Sequence, residues 1–342
     1  MMVLLFQWAV VWVVAAAAAP ATEWVRGGPD GRQPAWGVRG GLQFAIPPAS
    51  KGPRGLVRVL SPTLPGGQYD LINFIAVEPI VKGQRGFSEL EHSRLDRLAG
   101  KRFWVEPDEM AGEITPIDGG VERLKVVVRV ERFDNGASVR LVIEQRSDRP
   151  DEIALMLQPE LDSAAIEYGI LTATMGNKAR TRLLWLKDEI VSSQTLYPDY
   201  KGLHFAPHSI YPLRSLASGE GGDLLVAVTT DEQRPADTRP FPGSDRWYYG
   251  GAPVTQYWRM PRGTWREDVH AALNARYTYW MSWRPIPGGI AFENFELRER
   301  FRPDQRFVFG ITRKTPAELG VRPSATMPSS ESAPAGRGAL SG

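Results

Sequence analysis

Alternating apolar and polar positions are the clearest pattern in the chain, and they predict β-strands. Between residues 122 and 133 (ERLKVVVRVERF), every second side chain from Leu124 to Val130 is apolar. A period of two places these side chains on one face of a strand. The dipeptide Asn135-Gly136 follows, which is typical of hairpin turns, and the alternation resumes at Val139. This stretch therefore predicts two antiparallel strands joined by a turn.

Similar segments recur along the chain, separated by turns rich in Gly and Pro. They predict further strands at 38–46, 55–60, 70–81, 152–158, 165–175, 180–187, 223–230, 254–260, 275–284, 290–301 and 306–312. Helical patterns are short and do not alternate with the strands, which favours antiparallel sheets over an α/β fold. The sequence thus predicts an all-β fold, a large antiparallel β-sandwich (supersandwich) with short helical pieces in its loops.

The two ends of the chain differ from this body in composition. Residues 1–21 are apolar and close on a small-x-small pattern, which predicts a cleaved signal peptide; the alternative is an uncleaved membrane anchor. Residues 22–37 are rich in Gly and Pro and indicate a linker before a sandwich domain at 38–314. Residues 315–342 contain few large apolar side chains, which predicts a disordered tail. The expected location is secreted or periplasmic, without membrane attachment after cleavage.

Charge and cysteine content limit the kinds of partner and of catalytic or metal site that the chain can have. A net charge of +2 gives no reason to expect a nucleic-acid partner. The absence of cysteine excludes disulfides, thiolate nucleophiles and thiolate-bound metals. The chain has 33 Arg against 8 Lys, and Arg binds carboxylates and sulfates through two parallel hydrogen bonds. A genome rich in Arg codons is the alternative explanation. Nothing in the sequence indicates a cofactor or an oligomeric state.

Aromatic residues concentrate in one region: ten of the 21 Trp and Tyr residues lie between 247 and 283. Such rings stack on sugars and hydrogen-bond at their edges, although large β-sandwiches also use them as core residues. On the predicted strand 275–284, alternation places Arg276, Trp280 and Arg284 on one face. That face would suit an acidic saccharide.

This architecture resembles the galactose-mutarotase-like supersandwiches, a group that includes sugar epimerases, polysaccharide lyases and accessory domains of glycoside hydrolases. The resemblance rests on an all-β body over 38–314 that is dense in Trp and Tyr, and it implies a carbohydrate partner. It covers architecture and no sequence motif. Because the family's catalytic signature is not matched, no catalytic residue is carried over from it.

A loop rich in Pro and Tyr contains His204 and His208. His-x3-His binds zinc when a helix aligns the two rings, but Pro207 lies between them, so no metal site is predicted. Tyr197 and Tyr200 lie in the same loop. A His/Tyr pair beside an Arg suits abstraction of the proton next to a uronate carboxylate. The alternative is an ordinary polar surface loop.

Polar residues interrupt two apolar segments. Glu293 and Asn294 lie in a predicted hairpin strand, where a bulge would re-aim the carboxylate towards a site. The alternative is a Glu paired with an Arg of the neighbouring strand. In 70–81, Asn73 is in phase with apolar residues and would need a buried partner, whereas Glu78 is expected near the sheet edge.

Taken together, these features predict a secreted carbohydrate-active protein that acts on or binds a polysaccharide, with an acidic one favoured. Lyase or hydrolase chemistry is expected if it is an enzyme; the alternative is a non-catalytic β-sandwich that binds another ligand or serves in the cell envelope. The candidate catalytic residues are Glu293, His204, His208 and Tyr200. The candidate substrate-binding residues are Trp280, Arg276, Arg284, Tyr197 and Asn294.

Overall fold

Two antiparallel β-sheets face each other across one apolar core, which confirms the predicted all-β sandwich. Strands account for 46% of the described residues and helix for only 7%. The computed structural model describes residues 22–28, 35–46, 55–63, 67–174, 180–231, 253–279 and 283–321. In these ranges the one α-helix is a single turn, α1 (Ser193–Leu196), and four further short turns are 3-10 helices.

Sheet I contains ten of the described strands. They are β1 (Trp24–Val25), β2 (Ala35–Val38), β3 (Gln43–Ala45), β4 (Leu56–Ser61), β5 (Asp70–Val81), β6 (Gln84–Arg85), β12 (Tyr168–Thr174), β15 (Ser209–Pro212), β19 (His270–Arg276) and β20 (Ala291–Arg298). Their spatial order is β1-β2-β3-β4-β5-β12-β20-β19-β15, and β6 pairs with β5.

Sheet II contains eleven of the described strands. They are β7 (Phe103–Trp104), β8 (Glu113–Pro116), β9 (Glu122–Val130), β10 (Val139–Arg146), β11 (Glu152–Pro159), β13 (Leu183–Trp185), β14 (Ile190–Ser192), β16 (Ala217–Ser218), β17 (Leu224–Thr229), β18 (Thr255–Met260) and β21 (Phe307–Thr312). Their spatial order is β14-β13-β17-β18-β21-β11-β10-β9-β7, with β16 beside β17 and β8 beside β9.

The hairpin of β9 and β10 forms where the alternating pattern predicted it. Leu124, Val126 and Val128 point into the core, and Val126 pairs with Ile143 on β10. The turn passes through Gly136, whose φ of 90° is a left-handed conformation that favours glycine. The period-two pattern therefore correctly predicted both strands and the faces they bury.

Two of the hydrogen bonds that join the sheets across the core involve β18. The indole Nε1 of Trp258 on β18 donates to the carbonyl oxygen of Phe295 on β20 at 2.9 Å. Asn73 Nδ2 on β5 donates to Gln256 Oε1 on β18 at 2.7 Å, and both amide side chains are fully buried. The partner that Asn73 was expected to need is thus a glutamine of the opposite sheet.

The folded body extends beyond both predicted boundaries. β1 pairs with β2, and Trp36 is fully buried, so much of the predicted linker 22–37 belongs to sheet I. At the other end Val321 packs with Leu225 and Tyr257 on sheet II, which extends the ordered chain past residue 315. Composition missed both because a few large apolar residues suffice to anchor a short segment. The predicted signal peptide (1–21) and residues 322–342 lie outside the described residues.

The predicted strand 275–284 is wrong, because the strand in this region is β19, which ends at Arg276. Beyond β19, Thr278 forms an antiparallel bridge with Pro285, and the Tyr279 amide donates to the carbonyl of Arg284 at 3.1 Å. Tyr279 is fully buried against Ile286 and Ala291. No helix in the described part of the chain is long and apolar enough to cross a membrane.

Candidate functional site

A row of polar residues crosses the outer face of sheet I, the face that points away from the core. Val77 on β5 points into the core, so alternation places Glu78 on the outer face. The same alternation beside Leu171 on β12 and Leu297 on β20 brings Thr172 and Glu296 to that face. Thr172 Oγ1 donates to Glu296 Oε1 at 2.8 Å.

Arg85 joins the two carboxylates of this row. The β5–β6 hairpin folds back over the sheet, so that Arg85 Nε donates to Glu78 Oε2 at 2.5 Å and Nη2 donates to Glu296 Oε1 at 2.6 Å. Arg298 also pairs with Glu296. Glu78 is 3% exposed and Glu296 is fully buried. Because a buried carboxylate without partners costs several kcal/mol, these arginines are what makes the burial tolerable.

A third carboxyl group, that of Glu89, lies close enough to Glu78 to affect its pKa. The preceding residue, Ser88, fixes this loop: its Oγ donates to the Gly55 carbonyl at 2.5 Å and accepts the Val77 amide at 2.9 Å. A Cβ at Gly55 would lie 1.7 Å from the carbonyl oxygen of Ser88. Only glycine at position 55 lets Ser88 approach the backbone there closely enough to place the next residue, Glu89, in the row.

His208 closes the group from the solvent side. Its Nε2 lies 3.8 Å from Glu296 Oε1, and 31% of its side chain is exposed. The loop that carries it is docked on sheet I, because the Ala206 amide donates to the Ala275 carbonyl at 2.8 Å. We call the complete group the outer-face cluster; its members are Glu78, Arg85, Glu89, Thr172, His208, Glu296 and Arg298.

The environment shifts the pKa values of the titratable groups in the outer-face cluster in opposite directions. Burial, with the nearby Glu89 adding to it, raises the pKa of Glu78 well above its ordinary range. Burial also raises the pKa of Glu89. For Glu296, burial alone would raise the pKa, but Arg85 and Arg298 together leave it below its ordinary value. Burial lowers the pKa of His208, and the two arginines contribute to this.

These pKa shifts indicate the protonation states of two groups at neutral pH. Glu296 is an ionised carboxylate, and His208 is a neutral imidazole that can accept a proton. Titratable neighbours with oppositely shifted pKa values are typical of acid–base sites. With Arg85 and Arg298 beside them, the cluster can bind an anion and move a proton.

The two histidines of the loop have different surroundings. His208 belongs to the outer-face cluster, whereas His204 is exposed and accepts the Tyr200 hydroxyl through its backbone carbonyl at 2.9 Å. The Tyr197 hydroxyl donates to the Pro207 carbonyl at 2.7 Å, and burial raises its pKa. Both tyrosines therefore brace the loop, and the described contacts give neither a place among the charged groups.

Glu293 and Asn294 form the bulge that was considered for them. Leu273 pairs with Phe295 and Ala275 with Phe292, so two residues of β20 oppose the single residue Asn274. Glu293 is 2% exposed, and its Oε1 has no hydrogen-bond partner among the described residues. Burial raises its pKa from 4.5 to about 7, against the lowering effect of Arg276.

Arg276 connects this bulge to the histidine loop. Its guanidinium lies over the Phe205 ring at 4.8 Å, and Phe205 lies between the two histidines in sequence. Arg276 thus lies near Glu293 and also contacts the histidine loop. Arg284, expected to hold the carboxylate, is exposed, and its backbone carbonyl accepts the Tyr279 amide. Trp280, the predicted stacking platform, lies outside the described residues.

The sequence did not point to most of the outer-face cluster, namely Arg85, Glu89, Thr172, Glu296 and Arg298. One signal was present: Glu78 interrupts an apolar run, but it was placed near the sheet edge. It pairs instead with Ile170 on β12, inside sheet I. Counting the alternation afresh after the bulge would have found Glu296. Phe295 and Leu297 then point into the core, and Glu296 between them points to the outer face.

Sequence comparisons assign no role to this site. The chain matches no protein-family model, and no curated protein is similar to it in sequence. Among the described residues, no group of three or more His, Cys, Asp or Glu side chains is arranged to hold a metal ion. The roles of the cluster residues therefore have to be argued from their geometry and charge.

Proposed function

We propose that this chain is an exported carbohydrate-active enzyme that abstracts a proton from an acidic saccharide at the outer-face cluster. The observation that carries the proposal is the position of His208. Its imidazole, kept neutral by its surroundings, lies 3.8 Å from the buried Glu296 carboxylate and remains partly open to solvent. The apolar N-terminal segment supports export.

The arginines supply the charge that this chemistry needs. Arg85 and Arg298 are 21% and 17% exposed, so each can reach a ligand while it holds a buried glutamate. A uronate carboxylate bound by them is neutralised, which acidifies the carbon next to it. His208 Nε2 takes the proton from that carbon, and the electron pair forms a C=C bond as the neighbouring C–O bond breaks. The imidazolium then returns the proton to the departing oxygen.

Glu296 acts through His208. Its negative charge stabilises the imidazolium while the proton is held, because the Glu296 carboxylate is fully buried and lies 3.8 Å from His208 Nε2. Glu78 accepts a hydrogen bond from Arg85 Nε at 2.5 Å and so helps to hold Arg85 beside Glu296. We assign both glutamates as positioning residues, since neither is accessible to a ligand.

This arrangement favours a lyase over a hydrolase. A glycoside hydrolase needs two carboxyl groups that flank the glycosidic bond. Glu78 and Glu296 are both held by the same side chain, Arg85, and are 3% and 0% exposed. A sugar cannot enter between them, whereas His208 faces solvent.

The test compares the two histidines of the loop. The full chain is incubated with polygalacturonate, alginate and a neutral glucan, and the ultraviolet absorbance of the unsaturated product is followed. We expect turnover of an acidic polymer that falls about 100-fold or more in His208→Ala. The matched control His204→Ala, on the same loop but outside the cluster, keeps its activity. Equal losses in both variants, or no turnover of any acidic polymer, would refute the proposal.

A second candidate is a non-catalytic saccharide-binding protein. Three large apolar side chains near His208, those of Leu203, Phe205 and Ile210, are 41%, 38% and 60% exposed. An apolar rim beside arginines suits ligand binding without turnover. Binding of an acidic polymer in the same assay, measured by calorimetry and unaccompanied by product, would favour this candidate.

A further inference from the structure

The other side of the molecule carries a second feature that the proposed function does not use. A cleft of about 380 Å³ opens on the outer face of sheet II. It crosses the adjacent strands β9, β10, β11, β21 and β18. Five arginines line it, namely Arg123, Arg146, Arg149, Arg259 and Arg306.

The cleft exists because small residues form its floor and long ones form its walls. The floor is the cross-strand pair of Ala154 on β11 and Val308 on β21, both buried. Residues on the neighbouring strands point the same way but end in guanidinium groups. Ile117 and Pro261 add an apolar edge. The result is a concave surface with a shallow apolar base and cationic sides.

The carboxylates of the cleft do not neutralise its arginines. Glu144 accepts from Arg306 at 2.6 Å, and Arg123 lies 3.6 Å from the same carboxylate. Glu152 similarly holds Arg259 at 2.5 Å, while Arg149 stays 3.7 Å away. Each glutamate therefore serves two arginines.

Two further carboxylates lie next to the cleft, but the arginines still outnumber the carboxylates. Asp148 pairs with Arg146, and Asp223 pairs with Arg259. Five arginines thus face four carboxylates. Arg123 and Arg149 are 37% and 52% exposed and lie beyond normal hydrogen-bond distance of their carboxylates, so their donors can reach a ligand.

We propose that this cleft is an anion-binding site that takes a single oxyanion group, held by Arg123 and Arg149. Guanidinium groups bind carboxylate and sulfate through paired hydrogen bonds, and a cleft of this size admits a small ligand. The oxyanion is either a free inorganic ion or a group on a saccharide chain. This site is separate from the outer-face cluster, and it does not depend on the proposed reaction.

The experiment measures binding by calorimetry in the full chain, at constant ionic strength, with three probes. These are sodium sulfate, oligogalacturonate and a sulfated dextran. The test variant is the pair Arg123→Gln and Arg149→Gln. The matched control is Arg129→Gln, because Arg129 lies on the same face of β9 but outside the cleft.

We expect the double variant to lose affinity about tenfold or more, while the control retains it. Binding of sulfate identifies a free-ion site, and binding of the oligomers alone identifies a saccharide site. Should the double variant unfold, Arg149→Gln alone serves, because that side chain is half exposed in a turn. Unchanged affinity in the cleft variants, or no binding of any probe, overturns the proposal.

The two proposals can fail separately. His208→Ala should leave anion binding at the cleft unchanged, because the residue lies on the other sheet. The cleft variants should in turn leave turnover at the outer-face cluster unchanged. If the cleft variants change turnover but not anion binding, the cleft proposal is contradicted and the lyase proposal stands.

Discussion

At the scale of single residues, Glu293 and Glu296 show how position within one strand decides the state of a carboxylate. Both lie on β20 and both are almost fully buried. Glu296 is held by Arg85 and Arg298, which stabilise its ionised form. Glu293 has Arg276 nearby but gains too little from it to offset burial. Three residues apart, they respond to pH in opposite directions.

Glu293→Gln should make the protein more stable at alkaline pH. Because the folded-state pKa of Glu293 is raised from 4.5 to about 7, the carboxylate lowers stability as pH rises through this window. The full penalty, on the order of 3 kcal/mol, applies above pH 7. We expect the melting temperature of Glu293→Gln to exceed that of the wild type at about pH 8 and to approach it at about pH 5.

Glu296→Gln is the matched contrast for this prediction. The pKa of Glu296 is lowered in the folded state, so its charge contributes stability that is present at neutral pH and lost on acidification through the folded pKa. This variant should therefore melt below the wild type at about pH 8. Parallel shifts of both variants with pH would contradict the assignment of the two carboxylates.

At the scale of secondary-structure elements, the bulge in β20 determines which side chains reach the outer face of sheet I. Before the bulge Phe292 points into the core, and after it Phe295 and Leu297 do so. The extra residue thus keeps apolar side chains inside on both sides while it shifts the phase. Glu296 and Arg298 reach the outer-face cluster as a consequence. The bulge is held by Asn274, whose Oδ1 accepts the Asn294 amide at 3.0 Å.

Asn274→Ala should cost stability that Asn294→Ala does not. Asn274 is 2% exposed, so its removal leaves the Asn294 amide without its acceptor. A buried donor left unpaired costs about 1–3 kcal/mol. Asn294→Ala keeps the bond from the backbone amide to Asn274 and removes a half-buried side chain that makes one long hydrogen bond, from Thr174 Oγ1 at 3.2 Å. Urea denaturation of both variants measures the difference, and equal losses would argue against a role for this bond in holding the bulge.

At the scale of the whole molecule, two sheets with apolar inner faces need something that fixes their relative position. Apolar packing is non-directional, and many small shifts of one sheet over the other bury similar areas. The Asn73–Gln256 bond is directional and lies in a fully buried setting, where an unpaired amide is costly. We infer that it specifies the alignment of β5 against β18.

Replacing Asn73 and Gln256 by Leu, singly and together, tests this inference. Each single variant leaves one amide buried without its partner, which should cost about 1–3 kcal/mol. The double variant removes both polar groups, so its loss should be smaller than the sum of the single losses. Urea denaturation gives the three values. Strictly additive losses would mean that the two amides are not coupled.

Several features of this protein followed from the order of its residues alone. The alternating pattern predicted β9, β10 and the all-β class, because side-chain direction in a strand depends only on position along the chain. The in-phase Asn73 predicted a buried partner, and the polar pair Glu293–Asn294 within an apolar strand raised a bulge as one of two explanations. These are local properties, set by the geometry of a few consecutive residues.

The outer-face cluster was decided by the tertiary structure. Its charged members come from β5, β6, β20 and two loops, and strand order alone brings β5, β12 and β20 together. The opposite pKa shifts of Glu78 and Glu296 need burial and a shared arginine 211 residues away from Glu296 in sequence. The cleft on sheet II likewise arises where Ala154 meets Val308 across two strands. Burial and charge pairing depend on contacts between distant segments, which no local pattern encodes.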